Sequence, residues 1–220
     1  MAKRKLRFIA GFALYFTALW LLWDTPVVYP LKVFVVMLHE ISHGIAAVAT
    51  GGAIRNIQID FNEGGACLCP GGNSFITLSA GYLGSLAWGA VLLVLAIGKP
   101  RRHKITLMLI GGFLSIVTLL YVRNVFGVFF GLVAGLALIG AARALPAALN
   151  KGILTVLGLT SCLYAILDIK SDVIDRPTAH SDAYMLAELT HVPTLVWGGL
   201  WILVALVVSG FLLRRIWRKA

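Results

Sequence analysis

Apolar runs separated by short polar punctuation account for most of the chain. They occupy residues 8–23, 31–50, 75–97, 105–122, 125–142, 153–167 and 195–213, each close to the length of about 20 residues that a helix needs to cross a bilayer. The first is closed by Asp24, Pro26 and Pro30, which stop a helix and mark a turn; the second ends at Gly51-Gly52, which tolerates a left-handed cap. Between Ile54 and Cys69 the period changes from helical to alternating: Ile57, Ile59 and Phe61 are interleaved with Gln58 and Asp60, and Asn62-Glu63-Gly64-Gly65 supplies a turn. That pattern predicts a β-hairpin. The pattern as a whole predicts an all-α polytopic membrane protein, a bundle of six to seven transmembrane helices with a small β-hairpin after the second helix.

Composition agrees. The 220 residues are 60% hydrophobic and 13% charged, with a mean hydropathy of +0.91, too little polar surface for a soluble globule of this size. The length suits a single domain over residues 1–220. A net charge of +10 would suggest nucleic acid in a soluble protein. Here the basic residues lie between apolar runs and at the ends, the footprint of cytoplasmic loops and contact with anionic lipid, so the bilayer is the expected partner and nucleic acid is not. Charge counting does not give one clean topology. If the 99–104 loop and both termini are cytoplasmic, the segment after the second run falls on the wrong side, so either the hairpin region is re-entrant or one run does not span. The basic start followed by an apolar run resembles a signal peptide, but the run reaches Trp23 without a convincing cleavage site and reads as a retained span. Cys67, Cys69 and Cys162 are too few for a disulfide framework and read as small buried apolar residues.

One run carries chemistry. At the centre of residues 31–50 stands His39-Glu40-Ile41-Ser42-His43, the pattern H-E-x-x-H. On a helix the two imidazoles lie one turn apart on the same face and both can reach one metal ion, with Glu40 beside them as a base. An ionisable residue at the centre of a membrane helix costs roughly 2.5 to 3.5 kcal/mol on insertion scales, so three in five positions need a joint explanation. A zinc ion supplies one: neutral His39 and His43 act as ligands, and Glu40 faces an activated water.

A catalytic zinc site needs a third protein ligand. Asp168 sits where the sixth run ends, and Asp172 follows it at i+4 on the same face if the helix continues. His180 and Asp182 belong to a polar stretch in which solvated side chains need no explanation. His103 reads as exposed in a basic loop and His191 as interfacial. Ser79-Ala80-Gly81-Tyr82-Leu83-Gly84-Ser85 is a run of small residues suited to close helix packing.

His39-Glu40-Ile41-Ser42-His43-Gly44 in an early span, Ser79-Ala80-Gly81-Tyr82-Leu83-Gly84 in the next and Leu167-Asp168 late in the chain together resemble the site-2 protease family of intramembrane zinc metalloproteases. The likeness is to its compact branch without PDZ or CBS domains, and it runs from Leu31 onward. It implies Zn2+ held by His39, His43 and Asp168, with Glu40 activating water, although Ile169 replaces the glycine usual after the aspartate and no Asn-Pro stretch precedes it. It further implies a small sheet beside the site, with an edge strand at Ile57 to Phe61 holding an unwound substrate. The expected activity is hydrolysis of a peptide bond in or near a transmembrane segment of another membrane protein, in a bacterial cytoplasmic membrane. The rival reading is a non-proteolytic metal-binding membrane protein, a divalent-ion carrier or scaffold.

Overall fold

The computed structural model describes residues 2–23, 25–175 and 180–219. Asp24 from the first turn and residues 176–179 of the acidic stretch lie outside them. Among the described residues, eight helices and one hairpin follow in order: α1 (Ala2–Leu21), α2 (Tyr29–Ala49), β1 (Asn56–Ile59), β2 (Gly65–Leu68), α3 (Ser74–Ala96), α4 (Pro100–Tyr121), α5 (Val125–Ala144), α6 (Ala147–Lys170), α7 (Asp182–Thr190) and α8 (Thr194–Lys219). Six of these, α2 to α6 and α8, are long and apolar enough to cross a membrane. The expected bundle with its hairpin is therefore what the chain forms.

The helices start and stop for local reasons. Pro30 and Pro100 occupy the first turns of α2 and α4, where a missing N–H costs nothing. Asn73 caps α3 by accepting the amide of Ile76. After α2 the chain turns at Gly51, whose φ of 92° lies in the region that favours glycine. α6 runs past the predicted end at 167 and closes in one π-helical turn, Ser171–Asp175. α7 has no counterpart in the predicted elements. Ser181 caps it by accepting the amide of Tyr184, and Ala183 and Leu186 bury one side of it against α3 and α8.

Tight helix pairs form where small residues let backbones approach. α3 and α6 are antiparallel: Ser161 donates to the carbonyl of Ser85, and Gly89 faces Gly158 and Cys162. α4 and α5 pair the same way through Gly111 with Gly135 and Thr118 with Gly131. α1 runs parallel to α6, with Tyr15 bonded to Thr160 and Trp23, just past its end, tilted against Tyr164. α8 runs antiparallel to α6, since Gly198 meets Val173 near one end and Leu212 joins Leu93 and Cys162 toward the other.

α2 is the exception. Its first turn meets the start of α5 through Tyr29 and Phe126, and its last meets the start of α3, where Thr50 accepts the amide of Asn73. The starts of α3 and α5 belong to the same half of the bundle, so α2 runs obliquely across that half. The hairpin lies along it, from Gly52 against Gly71 at the base to Lys32 paired with Glu63 at the tip, 2.9 Å apart. This removes the conflict in the charge count, since the segment after α2 stays on the side where α2 began.

The strands pair antiparallel, Asn56 opposite Leu68 and Ile59 opposite Gly65, with Ile57 and Ile59 fully buried as the alternation predicts. The expectation of a free edge along Ile57 to Phe61 needs correction. The outer edge of β1 is taken: the amide of Arg123 donates to Ile57, and the Asn124 side chain bonds both the N–H and the carbonyl of Ile59. The other strand, β2, faces α2. The cysteines also differ from expectation. Cys162 is buried, but Cys67 and Cys69 are half-buried at the end of the hairpin and joined as a disulfide. His103 is buried because α4 begins at Pro100 and so places it in the first helical turn.

A Cβ on Gly89 would lie 2.8 Å from the backbone of both Gly158 and Cys162, whereas one on Gly112 meets nothing within 4 Å. Gly89→Val is accordingly expected to push α3 from α6 at a cost of about 1–3 kcal/mol, while Gly112→Ala leaves stability unchanged. Thermal unfolding of the purified protein in detergent distinguishes them.

Candidate metal centre

The centre is assembled on α2. Helical spacing stacks His39 and His43 with ring centroids 4.8 Å apart, and both turn toward α3 and α7. A short helix from the far end of the chain closes the cluster. Asp182, in the first turn of α7, places Oδ2 2.9 Å from His39 Nε2 and 3.1 Å from His43 Nε2. One nitrogen from each histidine and one oxygen of Asp182 thus lie close enough to share a metal ion.

The outer atoms of the ligating groups are engaged as well. His43 Nδ1 is 2.7 Å from the carbonyl of Thr77 in the first turn of α3, a contact in which Nδ1–H donates and the Nε2 lone pair is left facing Asp182. Asp168 Oδ2 stands 3.8 Å from His39 Nδ1, an ion-pair separation longer than a hydrogen bond. Tyr82 sets its ring against His39 at 5.2 Å and donates its hydroxyl to Asp172 at 2.6 Å, linking α3 to the π-helical turn after α6.

The structure places the two aspartates singled out by sequence differently. Asp168 approaches the opposite nitrogen of His39, and Asp172 is held by Tyr82. The carboxylate inside the cluster is Asp182, which sequence reasoning set aside as solvated. The signal for it was present: a Ser-Asp pair before Ala183 and Leu186 is the signature of a capped amphipathic helix, whose first turn is anything but loop.

Two glycines make the geometry possible. A Cβ at Gly81 would fall 2.5 Å from Asp182 and even nearer the His39 ring, so the small-residue run on α3 admits the His39–His43–Asp182 cluster as well as a helix. A Cβ at Gly65, the first residue of β2, would come 2.7 Å from Glu40 Cγ. Strand and carboxylate are in direct contact there, and the backbone of Cys67 hydrogen-bonds Glu40. Glu40 itself is only 5% exposed.

These groups open into a cavity of about 790 Å³ bounded by α2, β2, the end of α6 and the start of α7, with Asn62 and Glu63 of the hairpin tip at its margin. Glu40, Glu63, Asp168, Asp172 and Asp182 all line it, and among the described residues no lysine or arginine does. His180 reaches its rim beside Tyr184. His191 caps the other end of α7 and His103 lies in α4; neither belongs to the centre.

A cavity holding two histidines one turn apart, an aspartate converging on both and an adjacent buried glutamate has the composition of a metallohydrolase site. No curated protein and no solved structure matches the chain. A family of proteases does match: the family described as Peptidase M50B-like aligns with residues 12–212, nearly the entire sequence. The chain belongs to the Peptidase M50B-like family.

Proposed function

We propose that this protein is an intramembrane zinc metalloprotease that hydrolyses a peptide bond in or near a transmembrane segment of another membrane protein. The observation that carries the reading is the convergence of His39 Nε2, His43 Nε2 and Asp182 Oδ2 beside Glu40 at the floor of one cavity. Family membership supports peptidase chemistry.

The donor set fits zinc: two imidazole nitrogens and one carboxylate oxygen are the three-ligand combination that leaves a position open for reaction. His39, His43 and Asp182 would hold the ion, with Asp168 outside them as the carboxylate that orients His39 through Nδ1. Zinc supplies Lewis acidity toward a carbonyl and lowers the pKa of water. Glu40 takes the proton from the attacking water and returns it to the leaving amine, a shuttle for which its place beside the histidines is suited. The Cys67 amide, directed at Glu40, fixes the carboxylate within reach.

A substrate helix must unwind before it is cut, because its peptide bonds are shielded by their own hydrogen bonds. β2 is the strand whose outer edge faces Glu40, so an extended peptide lying along it would pass the metal ligands and exchange backbone hydrogen bonds with the strand.

Glu40→Gln is expected to retain zinc, as measured by metal analysis of the purified protein, and to lose cleavage of a membrane-protein substrate in detergent by at least the roughly 10²-fold typical of a general base. Full turnover by that variant sinks the mechanism. Asp182→Asn is expected to lower zinc content outright. Asp168→Asn should leave the ion bound with an affinity reduced by about 10- to 100-fold, read by competition with a chelating dye. The opposite ranking of the two aspartates would move Asp168 into the ligand set.

A further inference from the structure

The hairpin brings a second reactive group to the cavity besides the cluster on α2. Cys67 and Cys69 both line it, half-buried, and are joined as a disulfide. Residues two apart in an extended segment share one face, and this face turns to α2. A Cβ on Gly44, the residue after His43, would lie 3.7 Å from Cys67 Sγ, and a Cβ on Gly65 would lie 2.7 Å from Glu40 Cγ. Leu68, between the cysteines, points the other way and is exposed.

The same residues form the outer edge of the hairpin. Gly64, Leu68 and Pro70 accept the amides of Asp60, Arg55 and Ala53 across it. By the alternation of an antiparallel ladder, the N–H and C=O of Gly65, Cys67 and Cys69 therefore point away from β1. The bond between the Cys67 backbone and Glu40 uses one of these outward groups. Along an extended strand, successive outward residues stand about 6.7 Å apart, but the Cα atoms of Cys67 and Cys69 are 5.4 Å apart. The crosslink thus contracts the edge by about 1 Å, and β2 ends at Leu68, inside the crosslinked segment. An extended peptide added to this edge keeps its own regular spacing. It can bond in register beside one of the two cysteines but not beside both.

We propose that Cys67 and Cys69 are a thiol–disulfide exchange site in the cavity wall, reached by small thiols and disulfides, and that their reduction extends the peptide-binding edge of β2 past Cys67. In the oxidising direction one cysteine thiolate attacks a small disulfide such as oxidised glutathione, breaking its S–S bond and releasing one thiolate. The other cysteine then attacks the protein sulfur of the mixed disulfide and releases the second. Two protein thiols become one disulfide; their two electrons and two protons leave with two small thiols. Two small thiols reverse the exchange. The cluster of His39, His43 and Asp182 and the contact to Glu40 are in place with the disulfide closed, so the exchange acts on peptide engagement and not on the metal ligands. The exchange chemistry rests on the cysteines alone, whereas its effect on a peptide rests on the proteolytic reading above.

The test compares the purified, zinc-loaded full-length chain in detergent after treatment with oxidised glutathione and after a phosphine reductant, with zinc content measured in both. Alkylation and mass analysis are expected to find the peptide holding both cysteines unmodified and two hydrogens lighter in the first state, and carrying an adduct on each cysteine in the second. Casein, an unfolded protein, serves as the probe. Its KM for cleavage is expected to be roughly two- to tenfold lower in the reduced state, the worth of a backbone hydrogen bond, with kcat and zinc content the same in both. Cys67→Ser/Cys69→Ser should lose the response and give one KM under both treatments. Failure of the disulfide to form, or equal KM in the two states, overturns the inference and leaves the protease reading standing. If neither state cleaves casein, binding of fluorescently labelled casein to the same two states decides. A Kd ratio of the expected size upholds the inference and removes the protease reading, while equal binding, or none, overturns both.

Discussion

An apolar helix that buries two histidines and a glutamate within five residues is the constraint on which the rest of the structure depends. Such groups are tolerated away from water only when each polar atom is answered. Thr77 answers the outer nitrogen of His43, Asp168 approaches that of His39, Asp182 stands between the two inner nitrogens, and the Cys67 backbone meets Glu40. These partners come from α3, α6, α7 and β2. No pair of neighbouring helices could supply them, so the centre ties together elements from most of the chain.

The same demand explains where side chains are missing. Gly81 and Gly65 leave room for the His39 ring and for Glu40, and Gly84 lets Ser42, the residue before His43, sit against α3. At Ser42 the backbones come close enough for Trp88 to donate to its hydroxyl, which itself donates back to Leu38. Small residues that serve only close packing in α4 and α5 serve both packing and site geometry in α3. The hairpin is fixed at both ends for a related reason. Lys32 and Glu63 hold its tip, Thr50 and Gly52 its base, and a strand so pinned keeps β2 in register with the glutamate.

What could be read from sequence is what depends on local spacing. The H-E-x-x-H pair faces one way because an α-helix repeats every 3.6 residues, and Ile57 and Ile59 are buried because a strand alternates. The carboxylate inside the cluster is 143 positions from His39; the Ser181-Asp182 capping signature marks a helix start, but nothing local says which residues that helix will meet. Asp168 was the better candidate on cost, ending an apolar run, and the structure does bring it near His39. But α6 continues to Lys170 and directs Asp168 to the outer nitrogen, while the capped turn at Ser181 delivers Asp182 to the inner ones. The disulfide and the burial of His103 were missed for a similar reason: each depends on where a neighbouring element begins or ends, not on composition.

The oblique course of α2 follows from the same chemistry. A helix crossing from one face to the other would expose the motif near mid-bilayer and leave the following segment on the basic side. Running across one half instead, α2 brings Glu40 to a cavity lined by carboxylates, while most of its own side chains are buried by protein. That burial matters for the proposed hydrolysis, which needs water at one point and its exclusion elsewhere. A helix apolar on most of its surface is suited to such a position, since neighbours can cover it on several sides, leaving only positions such as Ile45 and Val48 exposed. Read only as hydropathy, α2 is a transmembrane segment like the others. Its partners, Phe126 at one end and Asn73 at the other, show that its length is used to carry the site across the bundle beneath the hairpin.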